Sequence, residues 1–274
     1  MTKLFLALLC AIMMAACDAR ESTSTDAEHA DSAPSVDHDD MHWGYTGEEG
    51  AGNWADLSEE YALCRDGVEQ SPVNLTGAVA IEDSGIERRL GHAVLADEQI
   101  ARIADIIDNG HTIQVTTDVP LSLGIGETTF ELVQFHFHAP SEHTIEGVQA
   151  PLEAHFVHKS AAGELAVIGI LVEEGEYNEI MAPIIAALPS SPGDSRRIDD
   201  LSLPMNELRP LPTEYYRYDG SLTTPPCSEG VQWIVAADLY EMSGQQMTEI
   251  VAHLHNNFRP VQALGSRKIG YVSR

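Results

Sequence analysis

Two short runs, Gln134-Phe135-His136-Phe137-His138 and Glu153-Ala154-His155, constrain this chain more than any other feature. Successive side chains of a β-strand alternate faces, so His136 and His138 point the same way, about 7 Å apart along the strand. Phe135 and Phe137 then point the other way, into whatever packs behind the sheet. A polar connection bearing Pro and Gly follows, from Ala139 to Pro151, and Leu152 to Lys159 reads as a second strand. Paired antiparallel beside the first, it would bring His155 in as a third imidazole. Three neutral imidazoles leave a tetrahedral Zn²⁺ with one open position, the arrangement of a catalytic rather than a structural site.

Metal-bound histidines need their other ring nitrogen held by a carboxylate, an amide or a carbonyl. Gln134 lies two residues before His136, and Glu153 two before His155, each on the face of its neighbouring histidine. The bland alternative is surface alternation, and for a lone H-x-H it would be the better reading. Here the neighbours Phe135, Phe137, Phe156 and Val157 are apolar. Burying three unpaired imidazoles among them would be costly, so metal is the stronger reading. His158 has the opposite parity to His155, and His143 sits in the connection; both read as structural.

The rest of the chain fits one sheet-centred domain with peripheral helices. A chain of 274 residues can bury a large core. Strand-like runs dominate: 113–117, 130–138, 152–159, 165–172 and 231–237. Helical patterns are few: one over 178–188, and one from Ser243, where Ser243 and Gln246 form a capping box. The net charge of −28 argues against a nucleic-acid partner.

The N-terminus stands apart. Lys3 precedes an apolar run, Leu4 to Met14, too short to span a bilayer permanently, so residues 1–16 read as an export signal. Cys17 after Met14-Ala15-Ala16 resembles the bacterial lipobox, whose cysteine becomes a lipidated first residue. Ordinary cleavage after Ala16 or Ala19 is the alternative. The expected location is the periplasm, with membrane contact only through lipidated Cys17. Residues 17–40 are acidic and nearly devoid of apolar side chains, a disordered tether reaching about 25–30 Å. Residues 41–274 form the domain.

An ordered series of motifs then identifies a family. His42-Trp43-Gly44-Tyr45, Gln70-Ser71-Pro72-Val73-Asn74, Asn109-Gly110-His111 and the Q-F-H-F-H run come first. Ser141-Glu142-His143-Thr144, Glu153-x-His155, Gly220-Ser221-Leu222-Thr223-Thr224-Pro225-Pro226 and Asn257-x-Arg259-Pro260-x-Gln262 follow. Together they resemble the α-class carbonic anhydrases over nearly all of the chain beyond the N-terminal arm. The resemblance implies a mainly β (α+β) fold, a large, twisted, mostly antiparallel sheet with short peripheral helices and zinc in a conical cleft. It also implies reversible hydration of carbon dioxide to bicarbonate and a proton, by zinc-bound hydroxide with a histidine proton shuttle. A water pKa near 7 at such a zinc belongs to carbonic anhydrases as a class.

Residue by residue, the resemblance makes Glu142 and Thr223 the pair that orients the hydroxide, and His111 the shuttle. Asn257 becomes a further support of the metal shell. Tyr45, Asn109 and Gln114 match positions that order the water path, with Gln114 longer than the usual Asn. Val157, Val167, Leu222, Val231 and Trp233, with Thr223 and Thr224, match the substrate pocket; the residues alone would place the first five in the core. Ala139 stands where many animal members carry Trp. Some members bridge the pair matching Cys64 and Cys227, and the alternative is two buried thiols. Sulfonamides and small anions are the expected inhibitors, and a homodimer is one oligomeric option.

Three other functions compete with this reading. They are an inactive binding protein on the same fold, a zinc esterase or hydrolase, and a zinc store. Presence of the full set of candidate residues disfavours the first, and a store would not need Thr223 or a shuttle.

Overall fold

The computed structural model describes residues 42–81, 100–118, 121–198, 200–208 and 212–273. The expected export signal and tether, with Cys17, lie outside the described residues.

Eight strands carry the architecture: β1 (Ile100–Asp108), β2 (Ile113–Thr117), β3 (Thr128–His138), β4 (Leu152–Ser160), β5 (Leu165–Glu174), β6 (Tyr215–Ser221), β7 (Glu229–Ala236) and β8 (Gly270–Val272). They run β1-β2-β3-β4-β5-β7-β6-β8 across one sheet, with Ser195–Arg197 at one edge and Val79–Ala80 at the other. The pairings from β1 to β5 are antiparallel, whereas β5 runs parallel to β7 and to the short strand Tyr240–Met242. The sheet is therefore mixed, with antiparallel pairs in the majority. The strand runs read from the sequence match β2, β3, β4, β5 and β7 to within two residues at either end.

Alternation along these strands builds two cores. Ala166, Ile168, Ile170 and Val172 of β5 join Phe135, Phe137 and Phe156 in one cluster, with Ile184, Met247, Ile250 and Leu254 over it. Val167 and Leu171 of the same strand face the second cluster, with Tyr218, Val231, Trp233 and Val235. Strand β3 departs from simple alternation. Leu132 pairs with His158 but Gln134 already pairs with Val157, so Val133 is an extra, half-exposed residue. This bulge reverses the parity. Phe130 and Leu132 before it thus share a core with Phe135 and Phe137 after it, leaving His136 and His138 on the opposite face.

The helix expected over 178–188 is a correction: only Ala182–Ile185 is helical. Asn178 Oδ1 accepts the N–H groups of Ile180 and Met181, which makes a turn there instead. Pro183 in the first turn and Pro189 just beyond bound the rest. The helix Gly244–Val251 begins as the sequence indicates, with Ser243 and Gln246 closing a capping box.

Cys64 and Cys227 form a disulfide across 163 residues, which ties the segment before Gln70 to the loop after Thr223. So long a loop contributes up to about 5 kcal/mol in the chain-entropy model, commonly less in practice. Substituting both cysteines by Ser should lower Tm by about 5–10 °C. An unchanged melting curve would show that the bridge does not stabilise the fold.

Candidate metal centre and its surroundings

The bulged register places His136 opposite His155, and antiparallel pairing sets His138 one step along the same face. The three imidazole rings are 4.6 to 5.3 Å apart, centroid to centroid. One nitrogen of each is taken by a partner. His136 Nδ1 donates to Gln134 Oε1 at 2.9 Å, His138 Nδ1 to the Asn257 carbonyl at 2.6 Å, and His155 Nε2 to Glu153 Oε1 at 2.9 Å. The remaining nitrogens, Nε2 of His136 and His138 and Nδ1 of His155, therefore carry lone pairs and lie within 4.8 Å of one another. Burial lowers the pKa of all three, to about 4 for His138, and for His136 the neighbouring histidines lower it further. At neutral pH they are uncharged, as metal ligands must be.

A three-nitrogen donor set of this kind suits Zn²⁺. His138 Nε2 is buried with no hydrogen-bond partner, as is Glu142 Oε2, and such orphans are rare unless something else satisfies them. The residues present fit the ion.

Glu153 ties this shell to the sheet. Its Oε2 accepts the N–H groups of Glu142 and His143, both at 2.8 Å, while Oε1 accepts from His143 Nδ1 at 2.7 Å as well as from His155. Burial alone would raise its pKa, but His143 and His155 hold the carboxyl well below the usual carboxylate range. His143, read from sequence as structural, is buried and links Glu153 to the Tyr218 hydroxyl at 2.6 Å, which in turn meets Ser71 Oγ at 2.9 Å. It is not one of the three convergent imidazoles, yet it fixes the carboxylate that orients one of them. No strand periodicity marks a connection residue for that position.

Gly169 explains how so large a carboxylate fits beside β5. It sits in register with His155 on one side and Val235 on the other. A Cβ there would stand 3.0 Å from Glu153 Oε1 and 3.4 Å from a Val235 methyl. Glu153 cannot give way without straining four hydrogen bonds. Gly169→Ala should weaken zinc binding by about 10-fold, the lower end for lost outer-shell support. The effect should vanish in a Glu153→Ala background; a full effect there would place the clash elsewhere.

Glu142 is buried rather than solvent-exposed as a loop carboxylate usually is. Its Oε1 accepts the Arg259 N–H at 2.8 Å, and Oε2 lies 3.8 Å from His155 Nδ1. Burial pushes its pKa up to about 7, against the opposing pull of His155, the Arg259 amide and the nearby Thr223 hydroxyl. Thr223 is buried at the head of the loop closed by Leu222 N–H to the Ser228 carbonyl. Around it, Val167, Val231 and Trp233 belong to the second core cluster, with Val157 and Leu222 half-buried against it and Thr224 half-buried beside Thr223. Val157, Val167 and Trp233 form one transverse row across β4, β5 and β7. Trp233 also packs edge-on against His155, at 4.9 Å.

His111 occupies the turn between β1 and β2, its ring stacked on Trp43 at 3.9 Å and tilted by only 6°. Half-burial and the nearby His42 lower its pKa. Tyr45 joins Trp43 and Trp54 in an edge-to-face cluster beside it. Gln114 is half-buried and pairs in register with His136, while Asn109 Oδ1 accepts the His111 and Thr112 amides. Asn257 does more than its motif suggests. Besides its carbonyl on His138, its Oδ1 accepts the Ala139 amide and its Nδ2 donates to the carbonyls of His111 and Phe137. Arg259, quoted above only within a motif, is a buried cation whose fork reaches Gln70 Oε1 and the Ser71 and Cys64 carbonyls. It thereby joins the disulfide to the segment that holds Glu142.

The profile of the eukaryotic-type carbonic anhydrase family matches residues 49–273. A carbonic anhydrase of Pectobacterium carotovorum is 39% identical over 234 residues, which cover 84% of this chain and 91% of that protein. The Thermovibrio ammonificans α-carbonic anhydrase in complex with sulfanilamide superposes with a TM-score of 0.72 at 39% identity, over 84% of this chain and 99% of that one. The Photobacterium profundum α-carbonic anhydrase gives 0.73 at 38%, over 84% and 100%. The profile match over most of the chain and the similarity in sequence and fold agree: the chain belongs to the eukaryotic-type (α) carbonic anhydrase family.

Proposed function

We propose that this protein catalyses the reversible hydration of carbon dioxide to bicarbonate and a proton, with zinc held by His136, His138 and His155. The observation that carries the reading is the convergence of three bare, neutral nitrogens next to a buried Glu142 and an apolar wall. Zinc bound there would supply the Lewis acidity that makes water a nucleophile near neutral pH. The protein's residues do the rest. Glu142, ionised once a divalent cation lies beside it, accepts from the Thr223 hydroxyl, which is then free to accept from the nucleophile and fix its lone pair. Val157, Val167, Leu222, Val231 and Trp233, whose indole N–H is taken by the Ser221 carbonyl, offer carbon dioxide a surface without free hydrogen-bonding groups, and the Thr223 amide with Thr224 lies at its edge. The product proton leaves toward His111 along water ordered by Tyr45, Asn109 and Gln114. Imidazole suits that task because its pKa lies near neutrality.

Purified protein should contain about one zinc per chain, hydrate carbon dioxide, and lose activity to a sulfonamide, the inhibitor class bound by the Thermovibrio relative. Small anions should compete in the same way. Full zinc occupancy without turnover would instead identify a binding protein, and ester hydrolysis without hydration a hydrolase. Export to the periplasm, with Cys17 as a lipid anchor, belongs to the same proposal and rests on Met14-Ala15-Ala16-Cys17 after an apolar leader. Cys17→Ser should turn a membrane-associated protein into a soluble exported one with unchanged turnover. A wild type that is already soluble and free of acyl chains would remove the anchor.

A further inference from the structure

Asp108 is a buried carboxylate that the proposed chemistry does not use, being only 1% exposed. It ends β1, and its backbone is fixed on both sides: its N–H donates to the Asp194 carbonyl and its carbonyl accepts from Gly193. Its side chain faces in two directions. Oδ1 accepts the Gly110 N–H at 3.1 Å, and Oδ2 accepts from His253 Nδ1, also at 3.1 Å. A carboxylate only accepts, so the His253 Nδ1 must carry the proton. Gly110 has a φ of +82°, a conformation open to glycine and strained for other residues, and it immediately precedes His111.

His253 follows the helix Gly244–Val251, its own N–H bonded to the Ile250 carbonyl. His255 and Asn256 then take left-handed φ values of 50° and 57°, which turn the chain back so that Asn257 faces the sheet. Asn257 donates to the His111 carbonyl and accepts from His138 Nδ1. One five-residue segment therefore grips the His111 turn from both sides. His253 acts through Asp108 and Gly110, and Asn257 acts on His111 itself while also holding a candidate metal ligand.

We propose that the His253–Asp108 pair is a positioning element that sets the placement of the His111 turn relative to the metal centre, and so the rate of proton export. The proposal rests on the shuttle reading of His111 given above. Without the His253 donor, Asp108 Oδ2 is a buried acceptor that has lost a partner, and the carboxylate must rotate to find another. That rotation loosens the Gly110 amide and the turn behind it. His253 touches neither the three imidazoles nor the Thr223 loop in any hydrogen bond of the described residues.

The test compares His253→Ala, His253→Asn, His111→Ala and the His111→Ala/His253→Ala double variant in dilute, bulky buffer. His253→Ala should lower kcat by about 3- to 10-fold through misplacement, with kcat/KM for carbon dioxide unchanged and imidazole restoring the rate. His253→Asn, whose Nδ2 can reproduce the lost donor, should recover most of it. In the double variant kcat should fall no further than in His111→Ala alone. In the metal-free protein the Gly110 amide should lose hydrogen-exchange protection in His253→Ala and keep it in His253→Asn. An equal fall in kcat and kcat/KM, or a double variant slower than His111→Ala, would overturn the positioning role. If His111→Ala itself leaves kcat intact, the shuttle reading fails first, and the proposal falls with it.

Discussion

His155→Ala should strip the protein of most of its bound zinc and of nearly all carbon dioxide hydration. The substitution removes one of three donors, and it removes the only one that would bind through Nδ1, the nitrogen facing Glu142. Two imidazoles on one strand cannot enclose a tetrahedral ion, so affinity should collapse rather than decline gradually. The supports should behave differently. Gln134→Ala frees one ring to rotate, and Glu153→Ala frees His155 and also removes the acceptor for the Glu142 and His143 amides. Each should weaken zinc by about 10–100-fold while leaving a measurable site. Glu153→Ala should also melt earlier than Gln134→Ala, since it strands two buried amides. Metal content by mass spectrometry and competition with a chelator read all three variants. A His155→Ala protein with stoichiometric zinc and normal turnover would end the assignment.

That contrast explains what was legible in the sequence. Period-two alternation exposes which residues share a face, so His136 with His138, and Gln134 and Glu153 on the faces of their histidines, could be read directly, whereas the register of His136 with His155 could not. Other features escaped that logic. The Val133 bulge is invisible to alternation because Phe130-x-Leu132 and Phe135-x-Phe137 each look regular, and only the register shows that they share a core. The His143–Tyr218–Ser71 network and the Arg259 fork join segments 75 to 195 residues apart in the chain, and no local pattern encodes such distances. Burial of Glu142 was likewise out of reach, since a carboxylate in a connection is ordinarily solvated. Of these, only the role of Glu142 came from the family resemblance. The helix over 178–188 failed for a simpler reason: periodicity outvoted Asn178, Pro183 and Pro189, whose local chemistry favours turns.

His111→Ala and Thr223→Ala should damage opposite halves of the catalytic cycle. In the proposed function, hydration would depend on the Thr223 hydroxyl, on Glu142 and on the apolar wall, and restoring the nucleophile on moving a proton out past His111. When proton export limits turnover it governs kcat, whereas kcat/KM for carbon dioxide reports only steps through hydration. His111→Ala should therefore lower kcat by about 10-fold or more and leave kcat/KM nearly intact. Imidazole buffer, small enough to enter the cleft, should restore much of the loss by carrying the proton itself. The stacking of His111 on Trp43 suits this role, because it holds the ring beside the aromatic cluster while half-burial and the nearby His42 keep its pKa below the ordinary histidine value. Proton release to solvent is correspondingly easier. Thr223→Ala should lower kcat/KM, with no rescue by buffer, because it removes the acceptor that aligns the attacking lone pair and leaves Glu142 without that neighbour. An unchanged kcat for His111→Ala in dilute, bulky buffer would move the shuttle to another group. His42, whose ring lies 6.0 Å from that of His111, is then the next residue to substitute.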